Sequence, residues 1–204
     1  MTRSDSTSNA SAIVLTGGKS LRMGTPKFLL PFDGEPLISH VVRRLRSLFT
    51  DVVVVAAADQ SLPSLPAKIV RDELPYQGPV GGIYYGLRAV AQEISFVTAC
   101  DAPFLNLTLI RSLLNALGAA DVAVPIWQDR LQPLHAVYRS SVKPYLEQQL
   151  NEGRLRPTFL YERVTTRIVS EAEFFQIDPQ GLSFFNINTP QEYQRALRRW
   201  PVLP

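Results

Sequence analysis

The sequence is poor in cysteine: Cys100 stands alone among 204 residues. One thiol cannot close an internal disulfide, so a fold stapled by disulfides is excluded. No apolar stretch approaches the roughly 20 residues that a membrane span needs. The opening stretch, Met1 to Asn9, is polar, and the apolar run behind it is too short for a secretory signal. The formal net charge is only +3, with both signs spread along the chain. That balance lacks the clustered basic footprint of a nucleic-acid binder, and Arg198-Arg199 reads as a solvated helix face. There is no internal repeat and no low-complexity segment. These absences leave a cytoplasmic protein without nucleic-acid or membrane partners. The expected layout is a disordered tail over residues 1–10 and one domain over 11–204, long enough for one sizeable core.

What is present is concentrated near the start. The apolar run Ala12-Ile13-Val14-Leu15 reads as a short buried strand. It breaks into Thr16-Gly17-Gly18-Lys19-Ser20-Leu21-Arg22-Met23-Gly24-Thr25-Pro26-Lys27, a glycine-rich loop with three basic side chains. Glycines let backbone N–H groups close around an anion, and lysine and arginine supply the charge that polyphosphate needs. Gly18-Lys19-Ser20 imitates the end of a Walker A loop. That loop would need a glycine where Ile13 stands, so the P-loop reading fails, and the glycine spacing fails the Rossmann fingerprint as well. The loop therefore reads as a triphosphate clamp at the end of a first strand.

Downstream, apolar helical stripes alternate with short apolar runs. Leu37, Ile38, Val41, Val42, Leu45, Leu48 and Phe49 define an amphipathic helix, with His40 on its polar face and expected to be exposed. Val52 to Ala56 is a strand buried on both sides. Lys68-Ile69-Val70 is another strand, leading through Asp72 into a second glycine-rich loop with Gly78, Gly81 and Gly82, and then a helix. Those glycines either receive an anion at a helix N-terminus or permit close packing. Ile94 to Ala99 is a strand ending at Cys100-Asp101-Ala102-Pro103. Asn106 and Gly118 bracket the next helix as N-cap and C-terminal stop. Asp121 to Pro125 and Leu134 to Tyr138 are neighbouring strands, and Val142 to Leu150 is helical. Arg154 to Ser170 holds a short helix and then a strand. Thr189-Pro190-Gln191-Glu192 is a capping box that opens a closing helix to about Arg198. The alternation predicts an α/β fold: a three-layer, mostly parallel, Rossmann-like sheet with its ligand crevice beyond the carboxyl ends of the strands.

Candidate chemistry falls at those strand ends. Asp101 can hold Mg²⁺, which is content with one or two carboxylates beside phosphate oxygens, or it can cap its turn. Cys100 has no histidine in its motif and reads as a structural thiol. Asp72 can touch a ribose hydroxyl or a base edge, or form a turn. Asn186 and Asn188 precede a helix whose N-cap is already filled by Thr189, which frees their amides for a substrate. His135 is as readily a packed strand residue as a functional one. Arg154 and Arg156 are candidates for anionic groups of a second substrate.

The motifs LTGGKSLRMGTPK, DELPYQGPVGG, CDAPF, QPLHAVY and FFNINTPQE stand in order from Ala12 to Arg198. Together they resemble the molybdenum cofactor guanylyltransferases, the MobA family. The resemblance implies a GT-A-type nucleotidyltransferase fold and Mg²⁺-dependent transfer of GMP from GTP to the molybdopterin cofactor, with release of pyrophosphate. It also implies transient contact with a molybdoenzyme or its chaperone. Carried over by position, Leu15, Thr16, Gly17, Gly18, Asp72 and Gly78 fall on nucleotide-binding positions. Arg22 and Lys27 fall on phosphate contacts, Asp101 on the nucleotide and Mg²⁺ ligand, and Asn186 and Asn188 on the active-site asparagine pair. Two departures bear on the base. Thr16 stands where the family has alanine, and Ala56-Ala57-Ala58 stands where the guanylyltransferases often carry an asparagine. A molybdenum cofactor cytidylyltransferase, or another nucleotidyltransferase of the same fold, is the alternative. A non-catalytic cofactor carrier would have no use for Arg22, Lys27 and Asp101 together.

Overall fold

A computed structural model describes residues 9–16, 25–72 and 77–200. The glycine-rich loop from Gly17 to Gly24, the four residues after Asp72 and both termini lie outside the described residues.

The main sheet has eight strands. Its centre is β1 (Ala10–Leu15), paired in parallel with β4 (Asp51–Ala57) on one side and β6 (Ile94–Ala99) on the other. β5 (Lys68–Asp72) adds in parallel beyond β4. Beyond β6 lies β9 (His135–Arg139), antiparallel, and then β7 (Val122–Trp127) and β10 (Thr166–Val169). A two-residue strand, β8 (Arg130–Leu131), pairs with β7, and a small hairpin is formed by β2 (Pro31–Phe32) and β3 (Glu35–Pro36). The chain runs from β1 out to β4 and β5, then returns to the far side of β1 as β6. The strand order reverses between β1 and β6, and a ligand crevice opens at the carboxyl ends of such a pair.

The continuous apolar runs reflect burial on both faces of the sheet. Ala12, Val14, Val52, Val54 and Phe96 point into one layer, with α1 (Leu37–Arg46) and α3 (Leu107–Ala116). Ile13, Leu15, Val53, Val55 and Val97 point into the other, with α2 (Gly78–Ala89) and α4 (Lys143–Asn151). A third cluster joins the β2–β3 hairpin to α6 (Pro190–Arg199) through Phe32, Leu37, Phe104 and Ala196.

The caps behave as the sequence predicts. Asn106 accepts bonds from the N–H groups of Thr108 and Leu109, and Gly118 takes a left-handed φ of 51° past the end of α3. Thr189 and Glu192 form the reciprocal capping box of α6. A second capping box, Ser170 with Glu173, opens a one-turn helix, α5 (Glu171–Phe174).

Three expectations are corrected. Ala10, assigned to the tail, opens β1, where it is buried and pairs with Ile94. The strand at Leu134 to Tyr138 does neighbour β7, but it sits between β7 and β6 and runs antiparallel to both. His40 is fully buried rather than exposed. Its Nε2–H donates to Pro103 O at 3.0 Å, and Phe32 and Trp200 pack against the ring. Helical periodicity sees only the layer beneath α1; the hairpin and the end of α6 cover its other side.

Candidate active site at the carboxyl ends of β1 and β6

The ends of the two strands are tied together. The Cys100 N–H donates to Leu15 O at 2.9 Å, and the Thr16 N–H donates to Val55 O at 3.0 Å. Leu15 and Thr16 are both buried, so the backbone entering the glycine loop is fixed. Gln60, on the turn after β4, locks this edge. Its Oε1 lies 2.5 Å from Thr16 Oγ1 and accepts from the Ala57 N–H at 3.0 Å, while its Nε2 donates to Thr16 O at 3.3 Å. Arg71 in turn holds the carbonyls of Ala57 and Gln60. The sequence reading missed Gln60. The available signal was a lone amide side chain in a turn at a strand's carboxyl end, opposite an unusual threonine.

Lys27, Asp101 and Asn188 meet, although far apart in the chain. Lys27 Nζ donates to Asn188 Oδ1 at 2.7 Å and lies 3.3 Å from Asp101 Oδ2. Each has a structural reason to be there. Lys27 opens a 3-10 turn, Lys27–Leu29, anchored by buried Phe28. Asp101 lies two residues past the end of β6. Asn188 is held by its own N–H, which donates to Glu192 Oε2 at 2.7 Å, and the preceding Ile187 N–H donates to Asp101 O at 2.9 Å. The capping box of α6 thus sets the strap 186–188 against the Asp101 turn.

The Asp101 side chain is 17% exposed and that of Lys27 21%. Burial pushes the Asp101 carboxyl above its ordinary value, with Lys27 opposing the shift. A largely desolvated carboxylate is stabilised by a further cation beside it. One carboxylate at the strand-end crevice could also hold Mg²⁺, which takes one or two carboxylates and keeps its other positions for waters and phosphate oxygens. Cys100 beside it is buried and its thiol is pushed far up by desolvation, as a structural cysteine requires.

Asp72 ends β5, in register with Ala57, at the same edge of the sheet. Gly78 starts α2 with φ of 59°, a conformation that favours glycine. Close packing on the sheet is seen at Gly82 and also at Gly86, whereas a Cβ on Gly81 would meet the Gln77 side chain. A Cβ on Gly82 would lie 2.9 Å from Leu15 Cδ1, and one on Gly86 would lie 2.4 Å from Ile13 Cγ2. They let α2 press onto β1. Arg154 lies over the Phe159 ring and near Glu152 and Glu162. The segment it opens reaches α2, since Leu155 O lies 3.7 Å from a Cβ placed on Gly78. Asn186 does not join the Lys27 cluster; it lines an adjoining cleft. Gly17, Gly18 and Arg22 lie outside the described residues. Asp33, Glu35 and His40 bring ligand atoms together, but the Arg43 guanidinium already bridges both carboxylates, at 2.7 and 3.0 Å.

A largely buried carboxylate, a lysine and an amide at the switch point of a mixed, mostly parallel sheet, with a glycine-rich sequence following its central strand, are the features of an α/β nucleotidyltransferase. The chain belongs to the MobA-like NTP transferase family, whose domain matches residues 12–166. It is 33% identical over 195 residues to the "Probable molybdenum cofactor guanylyltransferase" of Carboxydothermus hydrogenoformans, covering 93% of this chain and 96% of that protein. It is 32% identical to the molybdenum cofactor guanylyltransferase of Desulfosudis oleivorans, covering 90% and 92%. The crystal structure of molybdopterin-guanine dinucleotide biosynthesis protein A from Archaeoglobus fulgidus superposes with a TM-score of 0.80 at 25% identity, covering 95% of this chain and all of that one.

Proposed function

We propose that this protein transfers GMP from GTP to the terminal phosphate of the molybdopterin cofactor. The observation that carries the reading is the meeting of Lys27, Asp101 and Asn188 at the β1–β6 switch point of a MobA-like fold. The acceptor's phosphate oxygen attacks the α-phosphorus of GTP. A new P–O bond forms, the bond to the β-phosphate oxygen breaks, and pyrophosphate leaves with that electron pair. Such chemistry needs no protein nucleophile, and catalysis is positioning with charge neutralisation. Lys27, together with Arg22, neutralises the departing pyrophosphate. Asn188 orients Lys27, and backbone N–H groups of the Gly17-Gly18 loop cradle the phosphates. Mg²⁺, when held by Asp101, supplies positive charge against the triphosphate. Asp72 and Gly78 bound the nucleoside end.

The test is release of pyrophosphate and formation of a dinucleotide product by the pure protein with Mg²⁺, GTP and molybdopterin. Consumption of CTP in place of GTP would assign it to the cytidylyl branch. No turnover of either nucleotide would overturn the transfer reading. The product then passes to a molybdoenzyme or its chaperone through a transient complex, which crosslinking during turnover should capture.

A further inference from the structure

The segment that follows Asp101 has no structure of its own: residues 102–106 run without helix or strand between β6 and α3. Bonds from outside hold it. The Ile187 N–H donates to Asp101 O at 2.9 Å, the His40 Nε2–H to Pro103 O at 3.0 Å, and the Arg44 Nη2–H to Leu105 O at 2.7 Å. His40 and Arg44 are four residues apart on α1 and share one helix face. Arg43, beside them, grips the β2–β3 hairpin through Asp33 and Glu35. That hairpin follows the turn that Lys27 opens, and the Leu37 N–H at the start of α1 donates to Leu30 O at 2.9 Å.

His40 sits where these pieces meet. Phe32 of the hairpin meets its ring edge-on at a centroid distance of 4.9 Å, and Trp200, just past α6, does so at 4.6 Å. α6 is the helix whose capping box holds Asn188. The segments that bring Lys27, Asp101 and Asn188 together therefore converge on one imidazole. A phenylalanine would serve packing alone, but two polar contacts single out a histidine. The Pro103 carbonyl can only accept, so Nε2 carries the hydrogen, and Nδ1 then accepts from Arg43 Nη2 at 3.3 Å. Burial pushes the imidazole below its ordinary pKa, with the Pro103 carbonyl opposing. The neutral ring, one donor and one acceptor, matches both partners.

We propose that His40 is a positioning residue for the transfer reaction, holding the Asp101 segment in register with the Lys27 hairpin and the Asn188 helix. The proposal rests on the transfer reading above. A reaction without a protein nucleophile depends on where Lys27 and Asp101 stand, and a misplacement of about 1 Å can cost about 100-fold in rate. His40 makes its contact two residues past Asp101, so it acts through the backbone. Pro103 is buried. Loss of the His40 N–H leaves its carbonyl unpaired in the interior, which is costlier than the bond itself is favourable. The segment then shifts to find another donor, and Asp101 shifts with it.

The test compares His40→Phe, which keeps an aromatic ring and removes the N–H, with His40→Gln, which keeps an N–H at similar reach. In protein ¹³C-labelled at the aspartate carboxyls, the Asp101 signal should move in His40→Phe and stay near its wild-type position in His40→Gln. This readout needs no substrate. The kcat of transfer should fall about tenfold in His40→Phe, the scale of one lost hydrogen bond, with the affinity for GTP unchanged. His40→Gln should restore most of that loss, whatever the melting temperatures of the two variants. Arg44→Met keeps an apolar stem against Trp200 and removes the bond to Leu105 O. It should act in the same direction more weakly, and it takes the place of His40→Phe if that variant fails to fold. An unmoved Asp101 signal, or an equal loss of kcat in His40→Phe and His40→Gln, would reduce His40 to packing. A wild-type protein that turns over no nucleotide would overturn the transfer reading instead, and the Asp101 signal would still decide whether His40 holds the segment.

Discussion

At the scale of residues, the role proposed for Asp101 sets function against stability. Its folded-state pKa is raised above the ordinary 3.8, first by burial. A carboxyl shifted this way contributes stability that is complete below about 3.8 and is lost as pH rises through the raised value. At neutral pH the charged form is therefore a cost to the fold. Asp101→Asn keeps the shape and removes that cost. The variant should melt at the same temperature as wild type or higher at pH 7, with the difference closing below about pH 4. Transfer should nevertheless fall by about 100-fold, the scale of one lost electrostatic stabiliser. Differential scanning calorimetry across pH, run beside the transfer assay, checks both. A destabilised variant with normal turnover would mean that Asp101 is a turn cap. Asn188→Ala probes the neighbouring contact. Lys27 loses its 2.7 Å partner, and transfer should drop roughly three- to tenfold, as for one positioning hydrogen bond, with the melting temperature nearly unchanged.

At the scale of elements, helices set the position of loops that carry no regular structure. Glu192 Oε2 accepts from the N–H groups of Asn188 and Thr189, at 2.7 and 2.8 Å, so the capping box of α6 also holds the strap that brings Asn188 to Lys27. Thr189→Ala should cost about 1 kcal/mol and should also lower transfer, which a mere cap at a remote helix would not do. On the opposite face, Gly86→Ala would drive a Cβ to 2.4 Å from Ile13 Cγ2. The gain in helix propensity is about 1 kcal/mol and the overpacking cost about 1–3 kcal/mol, so urea unfolding should show a net loss. Both elements were legible in the sequence, because a T-P-x-E box and apolar spacing are local signals. Long-range geometry was not. Nothing local revealed that β9 runs antiparallel between β6 and β7, nor that a hairpin and α6 bury His40. The separation of Asn186 from Asn188 escaped for the same reason. In a regular extended strand residues 186 and 188 would share a face; the strap carries no regular structure, so one asparagine meets Lys27 while the other lines the cleft.

At the scale of the whole molecule, Ala56-Ala57-Ala58 stands where guanylyltransferases often carry an asparagine, so under the proposed function base selection falls to other groups at this edge. Thr16 and Gln60 close that edge jointly, with Oγ1 and Oε1 only 2.5 Å apart. The pair occupies the ground between the β1 and β4 ends that Ala56, Ala57 and Ala58 leave without side-chain hydrogen bonds of their own. The β1–β6 crevice, tied shut at its base by the Leu15–Cys100 bond, should be stabilised as a unit when a nucleotide fills it. A ligand at 100 times its Kd adds about 2.7 kcal/mol. For a chain of this length each kcal/mol moves Tm by about 2–4 °C. GTP with Mg²⁺ should thus raise Tm by roughly 5–10 °C, whereas CTP and ATP at the same concentration should raise it less. Thr16→Ala, which restores the family's residue but frees Gln60, should narrow the gap between GTP and CTP without abolishing either shift. Equal or greater stabilisation of the wild-type protein by CTP would transfer it to the cytidylyl branch. An unaltered gap in Thr16→Ala would show that the Thr16–Gln60 pair holds the edge of the sheet and takes no part in reading the base.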